Sequence, residues 1–188
     1  MSWNSFHNRG EILRAVVDTA NHRRDGVLPA TVPGVAENFT DEIDLVGALL
    51  LKWHARLSGN LERALANEPM DLESAVAGAW RTTAEQMPGV RLVIDRCAEH
   101  PATPEMEQAM NRAREHELVR LATLAGLASS QDPSAVAAGR RVEDRAREAL
   151  AVPAEAAVEE PVAQAPAKPR RPGASQSFVD RIKAVLAA

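Results

Sequence analysis

Apolar residues recur every three or four positions along the first 150 residues, which is the spacing of one helix face. Short segments with proline, glycine or a capping residue separate six such stretches. The longest stretch begins after Thr40, with Asp41 and Glu42 in position to cap it. Its apolar residues are Ile43, Leu45, Val46, Leu49, Leu50, Trp53, Leu57, Leu61 and Leu65. A stripe this wide predicts contact with two or more neighbouring helices.

Helices are also predicted on both sides of this long one. The first covers residues 5 to 24, and the two prolines and one glycine of 27–39 predict an ordered loop without a helix. Asp71 caps the next helix, whose core face contains Leu72, Val76, Trp80 and Met87 and which ends at Pro88. A short helix is predicted over 90–100.

The last two predicted helices begin with the same device, a capping residue followed by proline. Thr103 and Pro104 open the fifth helix, and Asp132 and Pro133 open the sixth. The expected inward residues of these two helices are Met106, Met110, Ala113, Leu118, Leu121, Leu124, Val136, Val142, Ala146 and Leu150. Gly139 lies on the apolar side, where a small residue would let a neighbouring helix approach closely.

These patterns predict an all-α protein whose residues 1–150 form an antiparallel bundle of about six helices. Residues 151–174 contain five prolines among alanines and charged residues, and we expect them to form a flexible linker. Residues 175–188 are predicted to form a short amphipathic helix.

The apolar face of this terminal helix spans an arc of about 120°. It contains Phe178, Val179, Ile182, Val185 and Leu186. A helix this short needs a surface on which to fold. Three alternatives for this surface remain: the chain's own bundle, a protein partner, and a membrane. Two cations and one anion give little attraction to acidic lipid, so we do not expect membrane binding.

Composition narrows the classes of function. Residues 1–150 hold 17 basic and 22 acidic residues, a formal charge of −5, and residues 151–188 have a charge of +1. Neither part has the basic excess of a stand-alone nucleic-acid binder, so no nucleic-acid partner is expected. The N-terminal residues lack the pattern of a secretory leader, and no apolar run is long enough to span a membrane, so we expect a cytoplasmic protein.

The sequence shows no pattern typical of catalysis, metal binding or cofactor binding. Cys97 is the single cysteine, and it is expected to be a small packed side chain. None of the five histidines has metal-site spacing, and no phosphate-binding or nucleophile motif occurs. His54 is interpreted as a polar residue at the flank of a buried helix, and His116, in the run REHE, as a residue on a solvated face. We therefore expect no enzymatic activity, no metal and no cofactor.

The run ENFTDEIDLVGALLLKWHARLSGNLERAL, residues 37–65, resembles the junction in TetR-type regulators between the DNA-binding unit and a long leucine-rich helix. Residues 24–39 are too short and proline-rich for a helix-turn-helix, so no DNA-contacting residue is transferred. The resemblance implies a helical ligand-binding or dimerising part. The chain also resembles small uncharacterised helical proteins of high-GC bacteria, a likeness that implies no activity.

Two functional hypotheses follow. The first is a non-enzymatic adaptor whose body binds a protein partner or a second copy of itself, while the tethered terminal helix binds a second surface. The second is a small-molecule-sensing regulator with an apolar cavity between its helices. The lining of that cavity would be Trp53, Trp80, Met87, Met106 and Met110. Simple core packing is the competing interpretation of these five residues.

Overall fold

The computed structural model describes residues 3–66 and 69–151. The chain divides into two units, Met1–Pro153 and Ala154–Ala188, and the second unit lies outside the described residues. Seven α-helices and no strand occur in the described part, which confirms the all-α prediction. The helices are α1 Trp3–Arg23, α2 Val35–Asn38, α3 Glu42–Leu65, α4 Leu72–Gln86, α5 Pro88–Glu99, α6 Pro104–Leu124 and α7 Ala135–Ala151.

Helix α3 supplies the largest apolar surface of the core. Asp41 caps it, since its side chain accepts a hydrogen bond from the backbone N–H of Asp44 at 2.8 Å. The residues of its predicted face that are fully buried are Leu45, Val46, Leu49, Trp53, Leu57 and Leu61. Ile43, Leu50 and Leu65 are only partly buried and pack against the edge of the core.

The loop predicted over 27–39 contains a helical turn, so the prediction of a loop without any helix is wrong at α2. Gly34 precedes this turn with a φ of +89°, a conformation that glycine adopts without a Cβ penalty. Asn38 then donates from its side chain to the Gly34 carbonyl at 2.8 Å. Val35 and Phe39 bury their side chains, which fixes the turn on the body.

Helices α4 and α5 meet at Met87, and the proline that ends the first helix is itself the first residue of the second. A Cβ at Gly89 would lie 1.8 Å from the carbonyl oxygen of Ala20, so α5 approaches α1 at backbone contact. The side-chain oxygen of Asn21 accepts from the backbone N–H groups of Gly89 and Val90, at 3.0 and 3.3 Å. An α1 residue therefore caps α5.

Helices α6 and α7 also pack at backbone contact. Thr103 caps α6 as predicted, with its hydroxyl accepting from the Met106 N–H at 3.2 Å. On α7, a Cβ at Gly139 would lie 1.9 Å from the carbonyl oxygen of Leu118. The prediction that Gly139 permits close approach of a neighbouring helix is confirmed. The prediction that Asp132 and Pro133 open the sixth helix is wrong by two residues, because α7 begins at Ala135. The Asp132 side chain accepts from the Ser134 N–H at 2.8 Å, in the turn before the helix.

Two residues predicted to face the core are exposed. Leu72 is 40% exposed and Leu150 is 39% exposed. Leu72 is the first residue of α4 and Leu150 is the last but one of α7, so neither has a full set of neighbouring turns around it. Helical periodicity alone does not show where a helix runs past its neighbours.

Within residues 3–66 and 69–151, no helix is long and apolar enough to cross a membrane. The same residues contain no group of three or more His, Cys, Asp and Glu side chains arranged to hold a metal ion.

Candidate functional site in the interior

Glu117 of α6 is a buried carboxylate that receives hydrogen bonds from three other helices. Trp53 of α3 donates its indole N–H to Oε2 at 2.8 Å, and Trp80 of α4 donates to Oε1 at 2.9 Å. Arg91 of α5 donates from Nη1 to Oε1 at 3.2 Å. The Nε2 atom of His54 lies 3.1 Å from Oε2. The side chain is only 7% exposed, so these four groups replace its hydration.

This environment keeps Glu117 charged. Burial by itself would raise the pKa of Glu117, but the hydrogen bond from His54, the charge of Arg91 and the hydrogen bond from Trp80 outweigh it. The net result lowers the pKa of Glu117 to about 2. At neutral pH the group is therefore a permanent anion inside the bundle.

The aromatic rings around Glu117 also accommodate the arginine. Trp53 and Trp80 pack edge to face, with ring centroids 5.6 Å apart and planes at 72°. The Arg91 guanidinium carbon lies 4.9 Å from the Trp53 ring centroid and 5.6 Å from that of Trp80. Both distances allow a cation–π attraction. The side chain of Arg91 is thus held between an anion and two aromatic faces.

Further charges continue the network from Arg91 to α7. Arg91 pairs with Asp95 at 2.5 Å, and Asp95 also pairs with Arg147 at 2.9 Å. Arg147 pairs with Glu143 at 2.8 Å, and Glu143 with Arg114 at 3.1 Å. The guanidinium carbon of Arg147 also lies 4.9 Å from the Trp80 ring centroid. Carboxylates and guanidinium groups therefore alternate across α5, α6 and α7.

The pKa values of the partners reflect this alternation. Burial would raise the pKa of Asp95, but the charges and hydrogen bonds of Arg91 and Arg147 lower it overall. Burial would lower the pKa of Arg147, but Asp95 and Glu143 raise it above its ordinary value. Glu143 is 1% exposed and forms ion pairs with two arginines, Arg114 and Arg147.

The network is buried at Glu117, Arg91 and Glu143 and reaches the surface at Arg114 and Arg147, which are 32% and 37% exposed. Its three carboxylates and three arginines balance in charge, and His54 adds a positive charge only when protonated. Among the described residues, no buried side-chain nitrogen or oxygen lacks a hydrogen-bond partner. The cavity beside Glu117, bordered also by Met110 and Glu143, has a volume of about 10 Å³. That is room for about one water molecule and not for a substrate.

Glu117 is poorly suited to act as a general base. A general base must be able to take up a proton near the working pH, whereas the carboxylate of Glu117 has a pKa of about 2 and is surrounded by donors. The four groups around it bring α3, α4 and α5 to α6, and the Asp95 and Glu143 pairs add α7. Such contacts fix the relative positions of five helices.

The five residues proposed to line a ligand cavity do not enclose one common space. Trp53 and Trp80 contact each other at Glu117, and Met110 borders the small cavity beside it. Met87 borders an open groove at α1 and α3, while Met106 borders a separate depression of about 160 Å³ beside Cys97. All five residues therefore belong to one hydrophobic core cluster, while the three methionines border three different cavities.

The sequence analysis did not single out the charged members of the network, and within the run REHE it interpreted only His116, as a residue on a solvated face. His116 is exposed, as predicted, whereas its neighbour Glu117 is buried. A signal was present: Glu117 lies seven residues after Met110 and four before Leu121, on the apolar stripe of α6. Two buried tryptophans also require acceptors for their indole N–H groups.

His54 and Cys97, the other two candidate side chains, lie at the edge of the core and are only partly buried. His54 is 31% exposed and bonds to Glu117, so it is a flank residue of α3 with a specific partner. Cys97 is partly buried, and its pKa is raised by burial first and by the charge of Glu42 second. A thiol of raised pKa is a weaker nucleophile at neutral pH than a free cysteine.

The predicted partner-binding residues of the terminal helix lie outside the described residues. They are Phe178, Val179, Ile182, Val185 and Leu186. Comparison of the chain with models of protein families, with curated protein sequences and with solved structures finds no match.

Proposed function

We propose that this protein is a non-catalytic helical interaction protein of the cytoplasm. In this proposal an antiparallel body of six main helices presents, through the linker of residues 151–174, a terminal amphipathic helix that binds a protein partner. The observation that supports it best is the saturation of the interior charges around Glu117. In this proposal the ionisable groups of the interior network bind one another and hold the body together.

The proposal of a non-catalytic protein is supported by the pairing of the carboxylates in this network. Each oxygen of Glu117 already faces two donors at 2.8 to 3.2 Å. Asp95 and Glu143 are each paired with two arginines. Glu117 and Glu143 are 7% and 1% exposed, so a substrate would have to displace their ion pairs to reach them. Breaking a buried ion pair is strongly unfavourable.

The terminal helix supplies the proposed binding surface. Its five apolar side chains could each contribute about 1.5 to 3 kcal/mol when buried, before ordering costs are subtracted. A segment that orders only on binding spends part of this free energy on its own folding. We therefore propose a moderate affinity and a partner with an apolar groove, either another protein or a second copy of this chain.

The small-molecule-sensing alternative has less support. It requires Trp53, Trp80, Met87, Met106 and Met110 to surround one cavity of several hundred cubic ångströms. The residues of that set that border a cavity border three different ones. We therefore prefer core packing as the role of the two tryptophans.

Two matched variants of the full chain test the proposal. Phe178→Ser with Ile182→Ser removes two apolar anchors, and Asp180→Ser with Arg181→Ser changes the polar face without changing net charge. Cross-linking in the native lysate followed by mass spectrometry identifies bound proteins, and light scattering reports the oligomeric state. We expect the apolar-face variant to lose one specific partner, or the dimer, that the polar-face variant retains.

Thermal unfolding of the same variants separates docking on a partner from covering of the chain's own body. An unchanged midpoint in the apolar-face variant is expected when the terminal helix binds elsewhere. A lower midpoint together with unchanged partners and oligomeric state would show that the helix covers the bundle, and the proposal would fail.

A further inference from the structure

Helix α1 packs mainly against α5 and only lightly against α3, so a groove opens between α1, α3 and the end of α4. Its volume is about 570 Å³, within the range of small-molecule sites. Val17, Ala55, Gly59 and Met87 supply its apolar and small side chains. A Cβ placed on Gly59 would meet nothing within 4 Å, so this part of the groove is open space.

The charges along this groove are predominantly positive. Arg14 of α1 and Lys52, Arg56 and Arg63 of α3 line it, whereas Asp18 is the single acidic residue of its lining. None of these four cations forms an ion pair with another described residue. The excess is local, because residues 1–150 as a whole have a formal charge of −5.

One of the groove cations is held in a fixed position. Arg63 donates from Nε to the Gly59 carbonyl at 3.0 Å and from Nη2 to the side-chain oxygen of Asn60 at 2.5 Å. Asn60 is buried, and its amide nitrogen donates to the Thr83 hydroxyl at 2.8 Å and to Gln86 Oε1 at 3.3 Å. A buried amide thus orients an arginine at the groove, which reduces the entropy lost when an anion binds.

We infer that this groove binds a small molecule that combines a phosphate group with an apolar part. Guanidinium groups match the oxygens of phosphate in geometry and charge, and several cations around one acid suit a dianion. The apolar part would lie against Val17, Ala55 and Met87. The confined volume and the acidic body favour a small ligand over a nucleic-acid strand, whose binding uses an extended basic surface.

Phenyl phosphate is a suitable probe because it has both parts of the proposed ligand, and inorganic phosphate and phenol each have one. Titration of the ¹⁵N-labelled full chain at low salt gives affinities and locates the site by amide shifts. We expect phenyl phosphate to shift the amides of Ala55, Arg56 and Gly59 saturably. Inorganic phosphate should bind about tenfold more weakly, and phenol should cause no saturable shift.

Two pairs of variants test charge and space separately. Arg56→Gln removes a groove cation, and Arg140→Gln removes an exposed arginine of α7 that has no described ion-pair partner. Gly59→Leu fills the groove and keeps every cation, whereas Gly47→Leu adds the same side chain at an exposed, open position of the same helix. The groove variants should each weaken binding about tenfold or more, and the controls by less than about twofold.

Three results would overturn the inference. The first is the absence of saturable shifts at the groove with phenyl phosphate. The second is equal weakening by the groove variants and their controls, which would indicate unspecific attraction to positive charge. The third is much tighter binding of a ten-nucleotide single-stranded DNA with the same dependence on Arg56, which would assign the groove to nucleic acid. None of these outcomes bears on the proposed role of the terminal helix.

Discussion

The interior of the bundle and the groove at α1 and α3 both collect arginines, but the arginines have opposite surroundings. In the interior, Arg91 is 7% exposed and pairs with Asp95 and Glu117. In the groove, Arg14 and Arg56 are exposed and have no ion-pair partner among the described residues. A cation removed from water needs an anion beside it, whereas a solvated cation does not. The buried charges therefore report on the fold, whereas the exposed groove cations have no role in an ion pair of the described residues.

The largest effect should follow from breaking the interior network at its centre. Glu117→Gln removes the charge opposite Arg91 and places an N–H₂ group against donors from Trp53, Trp80 and His54. We expect a loss of about 3 to 5 kcal/mol in the free energy of unfolding, measured by urea denaturation. Glu115→Gln, on the exposed face of the same helix, should change it by less than about 0.5 kcal/mol. Similar losses in both variants would refute a special role for the buried carboxylate.

Acid should weaken the same network. The pKa of Glu117 is lowered from 4.5 to about 2 in the folded protein. A lowered folded-state pKa means that the stabilising contribution is complete above about pH 5 and is lost as the pH falls toward 2. The loss from this residue is on the order of 3 kcal/mol. Urea denaturation followed by circular dichroism between pH 7 and pH 3 measures the larger part of this loss, which is complete only below pH 2. A stability that does not fall between pH 5 and pH 3 would contradict the assigned state of Glu117.

A smaller effect should follow from separating the helices that hold the outer pairs. Gly139→Ala places a Cβ against the Leu118 carbonyl at 1.9 Å and pushes α7 away from α6. We expect urea denaturation to show about 1 to 3 kcal/mol of destabilisation. The reason is that the destabilisation from overpacking is larger than the stabilisation from the higher helix propensity of alanine. Gly78→Ala on α4 meets nothing within 4 Å and should be neutral or stabilising. Equal behaviour of the two variants would show that the α6–α7 contact adjusts freely.

The smallest effect on stability belongs to the groove. Arg56→Gln or Lys52→Gln removes a solvated cation with no described partner, so the free energy of unfolding should change by less than about 0.5 kcal/mol. Thermal or urea denaturation without ligand checks this expectation. A loss above 1 kcal/mol would mean that the groove cations support the fold, as the interior arginines do, and would remove the contrast between the two regions.

Local sequence signals predicted the elements of the body well. Caps at Asp71 and Thr103 and the close-packed Gly139 are where the pattern placed them, because each depends on neighbours within one helix or on the absence of a side chain. The turn α2 was missed because burial of Val35 and Phe39, and not local propensity, holds it. Leu72 was expected inside and lies at an uncovered helix end.

The candidate site was predictable only in part. Trp53 and Trp80 were singled out, but as cavity lining, and their partner Glu117 was not singled out. The partners lie 64 and 37 residues from Glu117 along the chain, so no local window contains both halves of either contact. The groove has the same origin, since α1 and α3 contribute its cations from positions about 40 residues apart.

The sequence by itself determined that this chain forms helices, where most of them begin, and which stripe of each is apolar, because these properties arise from interactions within a few residues. Only the tertiary structure decided which charged residues are buried. A carboxylate such as Glu117 can enter the interior when donors from other helices arrive at the same point, and its own neighbours in sequence do not supply them. The same rule left Arg14 and Arg56 at the surface, where the divergence of α1 from α3 leaves their charges available.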